Sequence, residues 1–205
     1  LEDLDPLARR IGAANTLVVR EDGSLHGFNT DGIGFVASVA EQAPDFSLAG
    51  KHALVLGAGG AARSIAVALD MEGVEISITN RTDGRAEKLL QETGIDGEVV
   101  FWEHRSAALA DVDMLVNTTS LGMVGSSPLQ IDLVSMAPGG LVADIVYAPL
   151  ETPLLADARR RGLAVVDGLG MLLHQAVPGF EAWFGRRPQV TPALRRLVER
   201  DLGLT

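Results

Sequence analysis

A glycine-rich turn between an apolar run and a helix-forming stretch constrains the fold more than any other feature. Residues 53–56 are all apolar, which is typical of a strand buried on both faces of a sheet. The next residues follow the pattern G-x-G-x-x-A, with Gly57, Gly59 and Ala62 at its three defined positions. Such a turn brings the backbone close to a pyrophosphate and packs the following helix tightly on the strand. Because tight packing alone also favours glycine, both interpretations stay open at this point.

Short strand and helix patterns alternate from this turn onward. The strand patterns lie at residues 53–56, 74–79, 99–101, 113–117, 141–147 and 163–166, and the helix patterns at residues 61–71, 85–93 and 152–161. Such alternation implies right-handed crossovers between parallel strands. We therefore predict an α/β fold: a Rossmann-type, doubly wound parallel sheet with helices on both faces. The flanking patterns predict a hairpin at residues 13–19 and 25–29, a helix at residues 34–41, and helices at residues 171–184 and 193–202.

The end of the second strand indicates which dinucleotide would bind. A chain that binds NAD usually carries Asp or Glu there, for the ribose hydroxyls. This chain instead has Asn80, Arg81 and Thr82, with Arg85 close behind, whereas Glu75 lies at the opposite end of the strand. Guanidinium and hydroxyl groups suit a 2′-phosphate, so NADP is favoured over NAD. The alternative is a solvated basic turn before a helix. The candidate cofactor-binding residues at this stage are Gly57, Ala58, Gly59, Gly60, Ala61, Asn80, Arg81, Thr82 and Arg85.

Composition narrows the classes of partner. A formal net charge of −10 repels phosphate backbones and anionic membranes, so we expect neither nucleic acid nor membrane as a partner. The chain has no cysteine, which excludes disulfides and thiolate chemistry, and its four histidines are scattered, so we expect no metal site. No apolar run reaches the roughly 18 residues that span a membrane. The acidic start at Leu1 does not read as a signal peptide, and we expect a cytoplasmic protein.

Several motifs, in their order and spacing, resemble the shikimate dehydrogenases over nearly the whole chain. Besides the glycine-rich turn and residues 80–85, they include G-A-A-N-T at residues 12–16 and N-T-D-G-I-G at residues 29–34. A third, G-L-G-M-L-L-H-Q-A, spans residues 168–176. Residues 117–123, 144–149 and 152–155 add to the match.

This resemblance implies reversible, NADPH-dependent reduction of 3-dehydroshikimate to shikimate in aromatic amino-acid biosynthesis. It implies that Asn15, Asp31 and Gln175 hydrogen-bond the ring hydroxyls and that Tyr147 lies on the substrate side. Ile145 and Gly168 match positions beside the nicotinamide.

The chemistry of these side chains agrees with a polyhydroxy acid as substrate. A site that hydrogen-bonds hydroxyls rejects analogues that lack them, and Asn15, Asp31 and Gln175 offer both donors and acceptors. Asp31 is the only carboxylate of its motif and is the candidate catalytic residue, because it can polarise a neighbouring group. Each has a structural alternative. Asp31 is a possible N-cap of the helix at residues 34–41, Asn15 a hairpin-shaping residue, Gln175 a buried amide and Tyr147 a core residue.

One feature departs from the family. The resemblance implies a catalytic lysine ahead of the G-A-A-N-T motif, where residues 1–11 hold none, and we expect neither Lys51 nor Lys88 to replace it. Two hypotheses follow: a portion of an active dehydrogenase, or an NADP-binding module without turnover. A third, a reductase such as glutamyl-tRNA reductase, is disfavoured by the polyol-binding pattern and the absence of cysteine.

The same resemblance predicts the domain organisation. We expect residues 1–30 to be a remnant of a second α/β domain that binds substrate. Residues 31–167 would form the NADP-binding domain, and residues 168–205 would form helices that return to the substrate domain. Shikimate versus quinate preference and the choice between monomer and homodimer stay open.

Overall fold

A small three-stranded sheet opens the computed structural model, which describes residues 3–204. Its strands are β1 (Asp3–Leu4), β2 (Thr16–Val19) and β3 (Leu25–Phe28), in the spatial order β1-β3-β2. Helix α1 (Pro6–Ile11) connects β1 to β2. β2 and β3 form the predicted antiparallel hairpin, whereas β1 runs parallel to β3. Sequence patterns do not predict β1 and α1, because two and six residues are too few to show a period.

A second sheet of six parallel strands dominates the rest of the chain. After α2 (Asp31–Gln42), the elements in chain order are β4 (His52–Leu56), α3 (Gly60–Met71), β5 (Glu75–Thr79), α4 (Asp83–Thr93), β6 (Gly97–Val100), β7 (Met114–Asn117), β8 (Leu141–Asp144), α5 (Pro153–Arg160), β9 (Ala164–Val166), α6 (Gly168–Phe184) and α7 (Pro192–Asp201). The strand order is β6-β5-β4-β7-β8-β9, and every neighbouring pair is parallel. The predicted doubly wound fold is confirmed. Between β4 and β7 the order reverses, which is where such sheets bind ligands.

Both faces of this sheet are covered, which explains why its strands read as continuous apolar runs. On β4, Ala53 and Val55 pack into the core shared with α3 and α4, while Leu54 and Leu56 pack into the core on the α5 face. All four residues are buried. Successive side chains of a strand point to opposite faces, so a strand covered on both sides has no polar alternation. Two short 3-10 helices, Trp102–His104 and Ala107–Asp111, connect β6 to β7.

Three element boundaries differ from the sequence prediction in ways that matter for the site. Helix α6 begins at Gly168 instead of residue 171. Helix α2 begins at Asp31 instead of residue 34, although glycines at 32 and 34 disfavour helix, because tight packing fixes this segment. The strand predicted over residues 141–147 ends at Asp144. The Asp144 carboxylate accepts a hydrogen bond from the Val146 amide, and this side-chain bond turns the backbone away from the sheet. Among residues 3–204, no helix is long and apolar enough to cross a membrane.

Candidate functional site

The glycine-rich turn leaves β4 in a conformation that only glycine tolerates well. Gly57 has φ +111°, and a Cβ there would lie 2.7 Å from the Thr118 Oγ1 atom. Its amide donates to the Thr79 carbonyl oxygen over 2.8 Å, which ties the turn to the end of β5. The first glycine of the motif is therefore required by the fold itself.

The next two glycines are not required by the fold. Gly59 has an ordinary extended conformation (φ −88°, ψ −170°), and a Cβ at Gly59 or Gly60 would meet no atom within 4 Å. Neither backbone strain nor packing therefore explains glycine at these positions. The open space lies at the first turn of α3, whose amides have no intrahelical partners and attract anions. The turn thus fits a pyrophosphate brought by a ligand, which favours the dinucleotide interpretation over the packing one.

The end of β5 carries the predicted 2′-phosphate residues. Asn80 Nδ2 donates to the Thr82 carbonyl oxygen over 2.9 Å, which shapes the turn into α4, and Arg81 is exposed. Arg85 lines a cleft of about 580 Å³ together with Ala58 of the glycine-rich turn. The structure thus places Arg85 beside the turn. Arg81 does not line this cleft, and its contact with a phosphate stays a prediction.

This cleft holds four cations that the sequence patterns did not single out as cofactor residues. We call it the basic cleft; its charged lining residues are Arg9, Arg10, Arg63, Arg85, Lys88 and Glu92. Arg63 lies in the first turn of α3, where a cation opposes the helix dipole. Its guanidinium donates to the Ile11 carbonyl oxygen and pairs with Glu92 over 2.9 Å, so it joins α1 to α4. An arginine in the first turn of a helix is unfavourable, and this is the sequence signal that could have identified Arg63 as a residue of the cleft.

Five of the six residues predicted on the substrate and nicotinamide side line one cavity of about 210 Å³, and the sixth, Asn15, does not line it. The five are Asp31, Ile145, Tyr147, Gly168 and Gln175. Ala61, at the start of α3, and Met171 of α6 complete the lining with Leu172. Residues from four separate parts of the chain therefore meet at one place, next to the glycine-rich turn.

Close helix contacts create this convergence. A Cβ at Gly34 of α2 would lie 2.6 Å from the Gln175 backbone nitrogen of α6, so only glycine lets the two helices approach this closely. A Cβ at Gly168 would overlap the Ile145 carbonyl oxygen, so glycine also lets α6 start directly against the loop after β8. Asp31 lies on the same helix as Gly34, one turn earlier, and thereby faces the cavity that Gln175 lines.

Asp31 is not an N-cap. It is the first residue of α2, Thr30 occupies the cap position, and the Asp31 amide donates to the Asn29 Oδ1 atom over 3.0 Å. Its Oδ1 atom accepts a hydrogen bond of 2.7 Å from Asn15 Nδ2. The structural alternative for Asp31 is therefore wrong, and the Asn15–Asp31 hydrogen bond is a contact that the sequence did not predict. Asn15 also contacts Thr30 through its side chain, so the hairpin is tied to the start of α2.

Three polar groups of the cavity keep free hydrogen-bonding capacity. Within residues 3–204, the side-chain hydrogen bonds of Asp31 involve Oδ1 alone, and neither the Gln175 amide nor the Tyr147 hydroxyl has a protein partner. Gln175 is half-buried and Tyr147 is exposed, so neither is the buried amide or the core residue of the structural alternatives. Their free atoms can serve a polar ligand in the cavity.

A buried carboxylate behind the cavity was not predicted from the sequence. Asp144 ends β8, and it accepts hydrogen bonds from Asn117 Nδ2 (2.9 Å) and Thr152 Oγ1 (2.7 Å) besides the Val146 amide. Burial raises the pKa of the Asp144 carboxyl to about 6, against the opposing effect of these hydrogen bonds. The network fixes the loop that carries Ile145 and Tyr147.

The two lysines of the chain lie away from this cavity. Lys51 Nζ pairs with the Asp113 carboxylate over 2.9 Å. These residues directly precede β4 and β7, so the pair lies at the amino ends of the two strands. Lys88 lines the basic cleft on α4. Of the residues that line the cavity, Asp31 is the only carboxylate, and no lysine lines it within the part of the chain that the structure describes.

Comparison with known proteins agrees with this geometry. The family described as "Shikimate / quinate 5-dehydrogenase" matches residues 38–124, and "Shikimate 5'-dehydrogenase C-terminal domain" matches residues 168–198. A protein of Methylobacterium radiotolerans named shikimate dehydrogenase (NADP(+)) is 55% identical, over 98% of this chain and 72% of that protein. The chain belongs to the shikimate dehydrogenase family. One of Acidiphilium cryptum with the same name is 57% identical, over 95% of this chain and 69% of that protein.

Solved structures of the family show the same fold. The shikimate 5-dehydrogenase of Thermus thermophilus, in complex with NADP(H) and shikimate, is 37% identical with a TM-score of 0.83. The match covers 98% of this chain and 72% of that one. The quinate dehydrogenase of Corynebacterium glutamicum, in complex with NAD, is 31% identical with a TM-score of 0.86 and covers 100% and 72% of the two chains. The shared architecture thus serves more than one polyol and more than one dinucleotide.

Proposed function

We propose that this protein catalyses the NADP-dependent, reversible reduction of 3-dehydroshikimate to shikimate, a step of aromatic amino-acid biosynthesis. The observation that carries the proposal is the single cavity in which free polar groups of Asp31, Tyr147 and Gln175 meet beside the glycine-rich turn. A small cavity with a few convergent polar groups suits a small polyhydroxy ring. Relatives of 55% and 57% identity named shikimate dehydrogenase (NADP(+)) support the same substrate and cofactor.

The residues of the turn would hold the cofactor. Gly59 and Gly60 leave room for the pyrophosphate, and Arg81 and Arg85 supply cations for the 2′-phosphate. When bound, NADPH supplies a hydride from its nicotinamide ring. Ile145 and Gly168 would border that ring. The other predicted contacts, Gly57, Ala58, Ala61, Asn80 and Thr82, belong to the same two turns.

The cavity residues would orient the substrate. Gln175 and Tyr147 would hydrogen-bond ring hydroxyls with groups that have no protein partner within residues 3–204. Asn15 donates to one oxygen of Asp31 and so orients the carboxylate, which leaves the other oxygen for a substrate hydroxyl. Reduction of a carbonyl consumes one proton at its oxygen. We assign Asp31 to this proton-handling side of the cavity, where it is the only carboxylate among the lining residues.

The names of the close relatives favour shikimate over quinate. Curated relatives of 55% and 57% identity are named shikimate dehydrogenase (NADP(+)), which supports shikimate as the substrate. Arg81 and Arg85, which follow β5, suit a 2′-phosphate and so favour NADP over NAD. We further propose a cytoplasmic protein, a monomer or homodimer, that works on small molecules and does not bind nucleic acid; its net charge of −10 supports the last point.

The decisive experiment measures binding and turnover separately. In the natural protein, NADPH fluorescence reports binding, and the loss of NADPH absorbance after addition of 3-dehydroshikimate reports turnover. We expect both, with quinate and NAD⁺ as weaker partners in the reverse direction. Binding of NADPH without turnover would instead support the silent NADP-binding module, and absence of NADPH binding would contradict both functions.

A further inference from the structure

The basic cleft is chemically unusual for this chain. Five cations and one carboxylate line it, although the protein as a whole has a net charge of −10. Three elements form its walls: α1 supplies two arginines, α3 supplies Arg63, and α4 supplies Arg85, Lys88 and Glu92. Ala58, the second residue of the glycine-rich turn, also lines it, so the cleft opens onto the dinucleotide site.

Two of the cations are committed to the fold. Arg10 donates from Nε to the Thr93 carbonyl oxygen over 2.8 Å and pairs with Asp70 over 2.6 Å. Arg63 is bound to the Ile11 carbonyl oxygen and to Glu92. Since these bonds run from α1 to α3 and α4, both arginines hold the walls together, and the charge of each is already paired with a carboxylate.

The remaining cations keep donors for a ligand. Within residues 3–204, the Arg85 side chain makes no hydrogen bond or ion pair, and Lys88 lies 3.6 Å from Glu92 with its side chain 67% exposed. Arg9 is exposed and donates from Nη2 to the Leu4 carbonyl oxygen over 3.1 Å. A guanidinium has five donors, so a single backbone bond leaves most of those of Arg9 available. The cleft thus offers two guanidinium groups from two different helices, α1 and α4, beside the turn.

We infer that Arg9 is a further residue that determines cofactor specificity, contributing a guanidinium from α1 to the adenosine 2′-phosphate in addition to those proposed for Arg81 and Arg85. The inference rests on the proposed NADP-dependent function. A phosphate dianion held between Arg9 and Arg85 accepts forked hydrogen bonds from both sides, which a ribose hydroxyl cannot match. Because Arg9 lies on α1 and Arg85 on α4, the same phosphate would add a link between these two helices.

The test compares Arg9→Gln with Arg186→Gln. Arg186 is an exposed arginine just beyond the end of α6, about 25 Å along that helix from Gly168 at 1.5 Å per residue. Fluorescence titration measures the dissociation constants of NADPH and NADH, and competition by 2′,5′-ADP against 5′-AMP isolates the phosphate. For Arg9→Gln we expect NADPH and 2′,5′-ADP to bind about 5- to 10-fold more weakly, with NADH and 5′-AMP unchanged. Arg186→Gln should change none of the four.

Two results would overturn the inference: equal losses for both dinucleotides, or retention of the wild-type preference in Arg9→Gln. A wild-type protein that binds NADH as tightly as NADPH would instead contradict the proposed cofactor itself. Arg9→Lys keeps the charge but loses the planar fork, and it should show a smaller loss that is again confined to the phosphorylated ligands. This second variant tests the same contact if Arg9→Gln does not fold.

Discussion

Replacing Gly34 by alanine tests whether the α2–α6 contact builds the substrate cavity. The added Cβ would lie 2.6, 2.7 and 2.8 Å from the backbone nitrogen, Cβ and Cα atoms of Gln175. An ordinary contact is about 3.5–4.0 Å, so the overlap is about 1 Å, and side-chain rotation cannot relieve it because two of the three atoms are backbone. The helices must therefore separate. Such overpacking lowers the free energy of unfolding by about 1–3 kcal/mol. The higher helix propensity of alanine offsets about 1 kcal/mol of this loss.

We expect Gly34→Ala to lower the free energy of unfolding by up to about 2 kcal/mol, measured by urea denaturation. The separation also moves Gln175 away from Asp31, so KM for shikimate should rise while the dissociation constant of NADPH stays nearly constant. The matched control is Gly84→Ala in α4, where a Cβ meets no atom within 4 Å. There the same substitution should stabilise the protein by roughly 0.5–1 kcal/mol. If Gly34→Ala were as stable as Gly84→Ala, the close contact would not exist.

Three further substitutions probe the other parts of the site. Asp31→Asn should reduce the rate of 3-dehydroshikimate reduction by about 10²-fold or more, with NADPH affinity unchanged in fluorescence titration; an unaltered rate would remove Asp31 from catalysis. Arg81→Asp should weaken NADPH far more than NADH, and equal losses would contradict its 2′-phosphate contact. Asp144 has its pKa raised from 3.8 to about 6 in the folded protein, so the native state binds the extra proton and stability falls as pH rises through this interval. Asp144→Asn should therefore gain stability relative to the wild type between about pH 4 and 6 in urea denaturation, and a pH-independent difference would refute this.

Local patterns were enough to predict the large sheet and its turn. The succession of strands and helices along the chain and the glycine-rich turn each depend on a few neighbouring residues, because φ/ψ preference and burial act over short segments. The resemblance to a family then identified five of the cavity's lining residues, which the structure brings together. The start of α2 and the end of β8 escaped prediction, since packing on other helices and a side-chain hydrogen bond override local propensity there.

The sequence by itself determined that this chain folds into parallel β-α units with a dinucleotide turn, because those features depend on residues that are neighbours in the chain. Only the tertiary structure decided which side chains from distant positions come together. It brought Asn15 against Asp31, placed Gln175 beside Gly34, and gathered Arg9, Arg63 and Arg85 around one cleft. These groups come from distant positions, and their meeting depends on how closely whole helices pack, which no local period records.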